Sequence, residues 1–220
     1  MQKQSKANIV ILSLPSDFYT KPVFRNMHDI EPFYLWRDDY IAAEDERSPF
    51  YGRIYDEFVF TQKIYNYFIH PQWDEFGSQT LYTKILFADY DHGFAILEFI
   101  GEWNDCLYND IMYLKQEVLE PLMEEGIFKF IFICENVLNF HGSDDCYYEE
   151  LSEETTDEEG WVVLLNVMSH VSDEMKETRL HHFLHFDGGF NEFNWRPHKP
   201  VHIFKMIEMM LNNQQKRLAY

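Results

Sequence analysis

Phe94-Ala-Ile-Leu-Glu-Phe-Ile100 is an apolar, β-rich run, and Ile127-Phe-Lys-Phe-Ile-Phe-Ile-Cys134 is a second. Between them, residues 104–126 carry apolar side chains at helical spacing: Leu107, Ile111, Leu114, Val118, Leu119 and Leu122. Strand, helix and strand in that order make a βαβ unit, which implies a parallel sheet and a right-handed crossover. Asn104 or Asp105 is placed to cap the helix, and Gly126 to stop it. Pro121 sits late in the helix, where a kink or restart is expected.

Upstream, residues 81–90 read as another strand. Asp91-His92-Gly93 then makes a tight turn, so 81–100 reads as a hairpin. Downstream, the chain turns polar after Cys134. Asn139-Phe-His-Gly-Ser-Asp-Asp145 reads as a loop and helix start. Residues 144–154 are expected to form a short acidic helix with Tyr147, Tyr148 and Leu151 inside, and 155–160 a loop. A buried strand is expected at 161–167. A helix follows, capped by Ser169 or Ser172 and running to about Leu180. His182 to Asp187 reads as a short strand that Gly188-Gly189 ends. Pro200 opens a last amphipathic helix to about Arg217.

The first 80 residues read differently. Residues 7–14 suggest a short strand, and 15–50 are broken by Pro15, Pro22, Pro32 and Pro49. The same stretch carries Phe18, Tyr19, Phe24, Phe33, Tyr34, Leu35 and Trp36, too many large apolar groups for a free linker. Within 53–70, Ile64, Tyr65, Phe68 and Ile69 fit a helical stripe. Tyr65, Asn66, Tyr67 and Phe68 are poor helix formers together, so 64–69 is expected as a strand. The division expected is an extension, 1–80, packed on a main domain, 81–220.

Composition bounds the function. Aromatics make up 18% of the 220 residues, with 20 Phe and 14 Tyr, so a sizeable core is expected rather than disorder. Thirty-eight acids against 18 bases give a net charge of −20. Phosphate backbones and anionic membranes are recognised by Lys and Arg, so neither nucleic acid nor membrane is expected as a partner. The cysteines Cys106, Cys134 and Cys146 form no CxxC, which fits a reducing compartment. The apolar run at 9–14 is too short for a signal core or a membrane span, so a cytoplasmic protein is expected.

From Leu81 the expected order is β-β-α-β-α-β-α-β-α. With Phe94-Ala-Ile-Leu-Glu-Phe-Ile-Gly101, the helix at 104–126, and the terminal His-Phe-Asp-Gly-Gly and Pro-Val-His-Ile-Phe-Lys-Met-Ile segments, this resembles the STAS, or SpoIIAA-like, fold over about 130 residues. The resemblance implies a mixed α/β sheet and a regulatory module that binds another protein without catalysis. Classical members carry an Asp-Ser-Ser-Gly type motif with a phosphorylated serine after the third strand. Here that place holds His141-Gly142-Ser143-Asp144-Asp145. Only Ser143 falls near the phosphorylated position, and the two aspartates after it would repel a phosphate. Ser143 or Asp144 is better suited to capping a helix.

Three constellations could carry chemistry. His141, Asp144, Asp145 and Cys146 place four metal-capable side chains close together, but no second ligand cluster pairs with them. His181, His182 and His185, with His170 upstream, include no HExxH. In a strand, His181 and His185 would share one face, with Phe183 between them. The loops 70–77 and 186–196 bring Trp73, Asp187, Trp195 and Arg196, residue types that anchor interfaces or close over sites. No nucleotide or nucleophile motif is present, and no cofactor or metal is expected.

The leading expectation is a non-enzymatic protein-binding module that meets a basic partner patch through 135–160. The binding residues expected are His141, Ser143, Asp144, Asp145, Asp187, Trp195 and Arg196. The alternative is a metal-dependent or carboxylate/histidine enzyme that unites the 141–145 and 182–196 loops.

Overall fold

A computed structural model describes residues 30–56 and 58–218, with the side chains of 215–218 excepted. The strand expected at 7–14, and Phe18, Tyr19 and Phe24, lie outside the described residues. The centre of the molecule is a mixed sheet of four strands, each hydrogen-bonded to the next in chain order. Its strands are β3 (Leu81–Asp89), β4 (Phe94–Asn104), β5 (Lys129–His141) and β6 (Trp161–Leu165). β3 and β4 form the expected antiparallel hairpin, with a bulge between Ile85 and Phe87. β4–β5 and β5–β6 are parallel. The mixed α/β class and the hairpin followed by parallel strands are as read from the sequence. Before it, β1 (Lys63–Ile64) and β2 (Tyr67–Phe68) make a small hairpin. The single strand expected at 64–69 is thus split by a turn, where Tyr65 takes the left-handed conformation at φ 54°.

Both faces of the sheet are covered, which is why its strands are nearly continuous apolar runs. Alternate residues of β4 point to opposite sides. Ala95, Leu97 and Phe99 join one core with Phe132, Val162 and Leu164. Over that core lie α1 (Asp105–Tyr108), α2 (Asp110–Leu114), a π-helical turn (Lys115–Leu119), α3 (Glu120–Glu124), α4 (Cys146–Asp157) and α5 (Ser169–Glu177). Phe94 and Ile96 join the other core with Ile131, Ile133, Val163 and Leu165, against Ile203, Phe204 and Ile207 of α6 (Pro200–Leu218). Phe94 and Phe204 stack with ring centroids 4.3 Å apart. Trp36 belongs to this second core, while Ala42, Phe50 and Phe76 belong to the first.

Several expectations are corrected. The helix at 104–126 is not continuous. Asn104 caps α1 by accepting from Leu107 N–H, but Asn109 then adopts φ 54° and ends it. Asparagine tolerates this conformation because its short polar side chain bonds locally. The break resets the helical register, so Leu107 is 74% exposed while Ile111, Leu114 and Val118 are buried. The π-helical turn then precedes Pro121, which has no N–H to give and would clash with a carbonyl one α-helical turn back.

β5 continues past Cys134 to His141, through the stretch expected to be loop. Asn136, Val137, Asn139 and Phe140 pair with Ile100, Gly101, Glu102 and Trp103, and burial of Val137 and Phe140 holds the strand in place. The strand expected at 182–187 shrinks to a bridge. Leu180–His182 is a 3-10 turn started by Arg179 at φ 63°. Only His185 pairs with β6, through His185 N–H to Val162 O at 3.0 Å and Leu164 N–H to His185 O at 2.8 Å. His181 and His182 are consequently neighbours on the 3-10 turn, with rings 4.2 Å apart. Neither Ser169 nor Ser172 caps α5; Met168 holds the N-cap position and Ser172 is buried within the helix. Among the described residues, no helix is long and apolar enough to cross a membrane.

Candidate functional site

The 141–145 segment leaves the end of β5 at an exposed position. His141, Ser143 and Asp144 are exposed. Asp145 occupies the N-cap of α4 without a side-chain capping bond, so neither Ser143 nor Asp144 caps the helix. Asp144 Oδ1 accepts from Cys146 N–H at 3.3 Å, and Asp145 Oδ2 pairs with Arg179 Nη2 at 2.7 Å. Among the described residues, no three His, Cys, Asp or Glu side chains converge to hold a metal ion.

α4 extends the acidic segment into a surface. Tyr148, Leu151 and Thr155 face inward, while Glu149, Glu150, Glu153 and Asp157 are exposed. Across from them stand Glu120 and Glu124 of α3. Between α3 and α4 runs a groove of about 450 Å³, with Met123 and Phe128 among its lining and Glu120, Glu124, Glu154, Asp157 and Glu158 around them. Lys115 is withdrawn: its side chain is 3% exposed and its ammonium bonds Glu120 at 2.7 Å and Glu154 at 3.1 Å. Burial works against its charge, but the two carboxylates outweigh it and raise its pKa. Lys115 is thereby neutralised beneath an acidic rim.

The 186–196 loop goes elsewhere. Asp187 bonds Lys176 Nζ at 2.9 Å and Ser172 Oγ at 3.4 Å. Trp195 is 1% exposed and packs edge-on against Phe33 at 4.7 Å and Trp36 at 5.6 Å. Arg196 lies over the Trp195 ring at 4.6 Å and holds Glu135 of β5 with its two terminal guanidinium nitrogens, Nη1 at 3.1 Å. Asn166, at φ 57° just past β6, fastens the loop from below. It accepts from Phe193 N–H at 2.9 Å and donates to Phe193 O at 3.0 Å.

Beside this cluster, Glu98 sits in the middle of β4 at 2% exposure. Its Oε2 accepts from Phe33 N–H at 2.9 Å. Burial pushes its pKa up to about 7, partly opposed by that hydrogen bond, with Glu135 adding repulsion and Arg196 relief. Trp195 and Arg196, expected from the sequence as binding residues, here pack and pair within the fold, and Glu98 and Glu135 beside them were not singled out in the sequence. The signal for Glu98 was a lone carboxylate in an otherwise apolar run.

The two loops of the enzymatic reading are not brought together by these contacts. Asp145 is held by Arg179, and Asp187 by Lys176 and Ser172. His185 lines a cavity with Lys129, Gly160 and Trp161, at the start of β5, whereas His141 ends that 13-residue strand. At about 3.3 Å per residue the two ends are roughly 40 Å apart.

No family model matches the chain, and no curated protein matches it. Among solved structures, it is similar to a protein of Thermotoga maritima described as an anti-sigma factor antagonist. That chain is 13% identical, with a TM-score of 0.36, over 49% of this chain and 86% of the other.

Proposed function

We propose that this protein works by binding another protein, and that the acidic face of α3 and α4 meets a basic surface of that partner. The observation that carries this reading is the groove between the two helices. Its apolar lining at Met123 and Phe128 is rimmed by carboxylates from both sides. A basic, amphipathic segment matches it in charge and in hydrophobicity. A binding role is also what the STAS-like order of elements implies. Residues 141–145 border this face, with Asp144 available to it and Asp145 already engaged by Arg179.

The test is a pull-down with wild type and with the combined variant Glu124→Gln, Asp144→Asn, Asp157→Asn and Glu158→Gln. Each of these residues is exposed, so the melting temperature should stay within a few degrees of wild type. Recovery of basic partners should drop sharply in the variant, and wild-type recovery should fall as salt screens the charges. The same partners recovered in equal amounts by both proteins would sink the proposal.

A further inference from the structure

Residues 30–37 run over Glu98 as irregular backbone and a turn, in no helix or strand. Distant groups fasten them. Trp73 donates its indole N–H to Ile30 O at 2.8 Å, Phe33 N–H reaches Glu98 Oε2 at 2.9 Å, and Trp36 donates its indole N–H to His198 O at 3.2 Å. Phe33 and Trp36 close a triangle of edge-on rings with Trp195. Just past the segment, Asp39 pairs with Lys199 at 2.6 Å. The segment is thus a strap, pinned near both ends and laid over the sheet.

The strap covers two polar groups that are poorly satisfied. Glu98 is 2% exposed, and among the described residues its carboxyl has one hydrogen-bond partner, Phe33 N–H. The indole N–H of the buried Trp195 has none. Burying such groups without partners is costly, and water would relieve both. The surrounding charges do not offset the burial of Glu98. Lys84 stands opposite it on β3, but its ammonium is drawn to Asp74 at 2.9 Å, a carboxylate that Arg53 shares at 3.1 Å. On β5, Glu135 repels Glu98, and Arg196, which relieves it, is already held by Glu135. On the strap itself, Arg37 bonds Gln72 and Glu31.

We propose that residues 30–37 are a pH-governed strap, closed over Glu98 and Trp195 while Glu98 carries its proton and lifting when Glu98 ionises, so that water reaches both groups. Under the closed strap Glu98 keeps its proton up to about pH 7, whereas in water it loses it near 4.5. The closed form therefore binds the proton more tightly. Closure is fully favoured below about pH 4.5 and weakens as pH rises through about 7. Lifting uncovers Trp195 beside Arg196 and Glu135. The strap shares no residue with the acidic groove, so it stands or falls separately from the proposed partner.

The test is hydrogen exchange of the full chain at pH 5 and pH 8, corrected for the intrinsic effect of pH. The Phe33 amide and the Trp36 indole N–H report the strap, and the amides of Ile131 and Phe132 report global unfolding. Strap protection should lie at least about a hundredfold below that of the strand, because local opening is easier than unfolding. In wild type it should fall by about fifty- to a hundredfold between pH 5 and pH 8, the ratio that the two proton affinities of Glu98 allow. Glu98→Gln keeps an acceptor for Phe33 N–H and cannot ionise, so its strap protection should change by less than about fivefold. Strap protection equal to that of the strand, or a fall in Glu98→Gln as large as in wild type, would overturn the proposal.

Discussion

Glu98 is an acid whose environment resists ionisation. Its proton leaves the unfolded chain near pH 4.5 but leaves the folded protein only near pH 7. Between those values the native state binds more protons, so stability falls as pH rises through that window. Asp105, also buried and pushed up to about 6, acts in the same direction. Glu98→Gln keeps an oxygen to accept from Phe33 N–H and cannot ionise. At pH 8 it should be more stable than wild type by up to about 3 kcal/mol, the equivalent of the shift. At pH 4 to 5 the two should nearly coincide. Denaturant midpoints across the pH range would measure this, and a gain that does not depend on pH would refute it. Gly101 is a second residue under strict demand. It sits at φ 122° with Thr80 O where a Cβ would go. Gly101→Ala should cost more than about 3 kcal/mol in chemical denaturation, from backbone strain and overpacking together.

At the scale of elements, the crossover between β4 and β5 is a chain of short helical pieces. Asn109 is the joint between α1 and α2, and two buried carboxylates set it. Asp105 Oδ1 accepts from Ile111 N–H at 2.8 Å, and Asp110 Oδ2 accepts from Asn104 N–H at 2.7 Å. Because these bonds hold the backbone, the left-handed residue cannot relax into a continuous helix. Asn109→Gly should be near neutral, whereas Asn109→Ala should lose about 1 kcal/mol, the cost of forcing a Cβ into that conformation. Thermal unfolding of the pair would show the difference. The apolar stripe from Ile111 to Leu122 was legible because its period survives the π-helical turn. The break at Asn109 was not, because an asparagine in a helical pattern gives no warning that the carboxylates of Asp105 and Asp110 will turn inward and fasten the turn. β5 was under-read for a related reason. Asn136 and Asn139 look like loop residues, yet they face partners across the ladder while Val137 and Phe140 fill the core.

At the scale of the molecule, residues 30–80 contribute to both faces of the sheet, through Trp36 on one and Ala42, Phe50 and Phe76 on the other. Trp36 also donates its indole N–H to His198 O at 3.2 Å, tying the start of the described chain to the approach to α6. We propose that 1–80 and 81–220 do not fold as separate units. Trp36→Ala should cost about 3–5 kcal/mol, the usual range for emptying a buried tryptophan site. A fragment of 81–220 should lose the single cooperative thermal transition of the full chain. Calorimetry that showed an unchanged transition in the fragment would contradict this.

The sequence alone determined the order of the main elements, because apolar periodicity and turn residues act over a few positions and read the same in any tertiary setting. It also determined the acidic outer face of α4, since a helix that buries Tyr148 and Leu151 must expose what lies opposite. Only the tertiary structure decided which distant charges meet. Glu98, Glu135 and Arg196 are gathered by strand register and by a loop folded back over the sheet. Arg37, Arg53, Asp74 and Lys84 come together across the packing of residues 32–74 on β3. Such encounters depend on how whole surfaces settle against one another, and no local spacing records them.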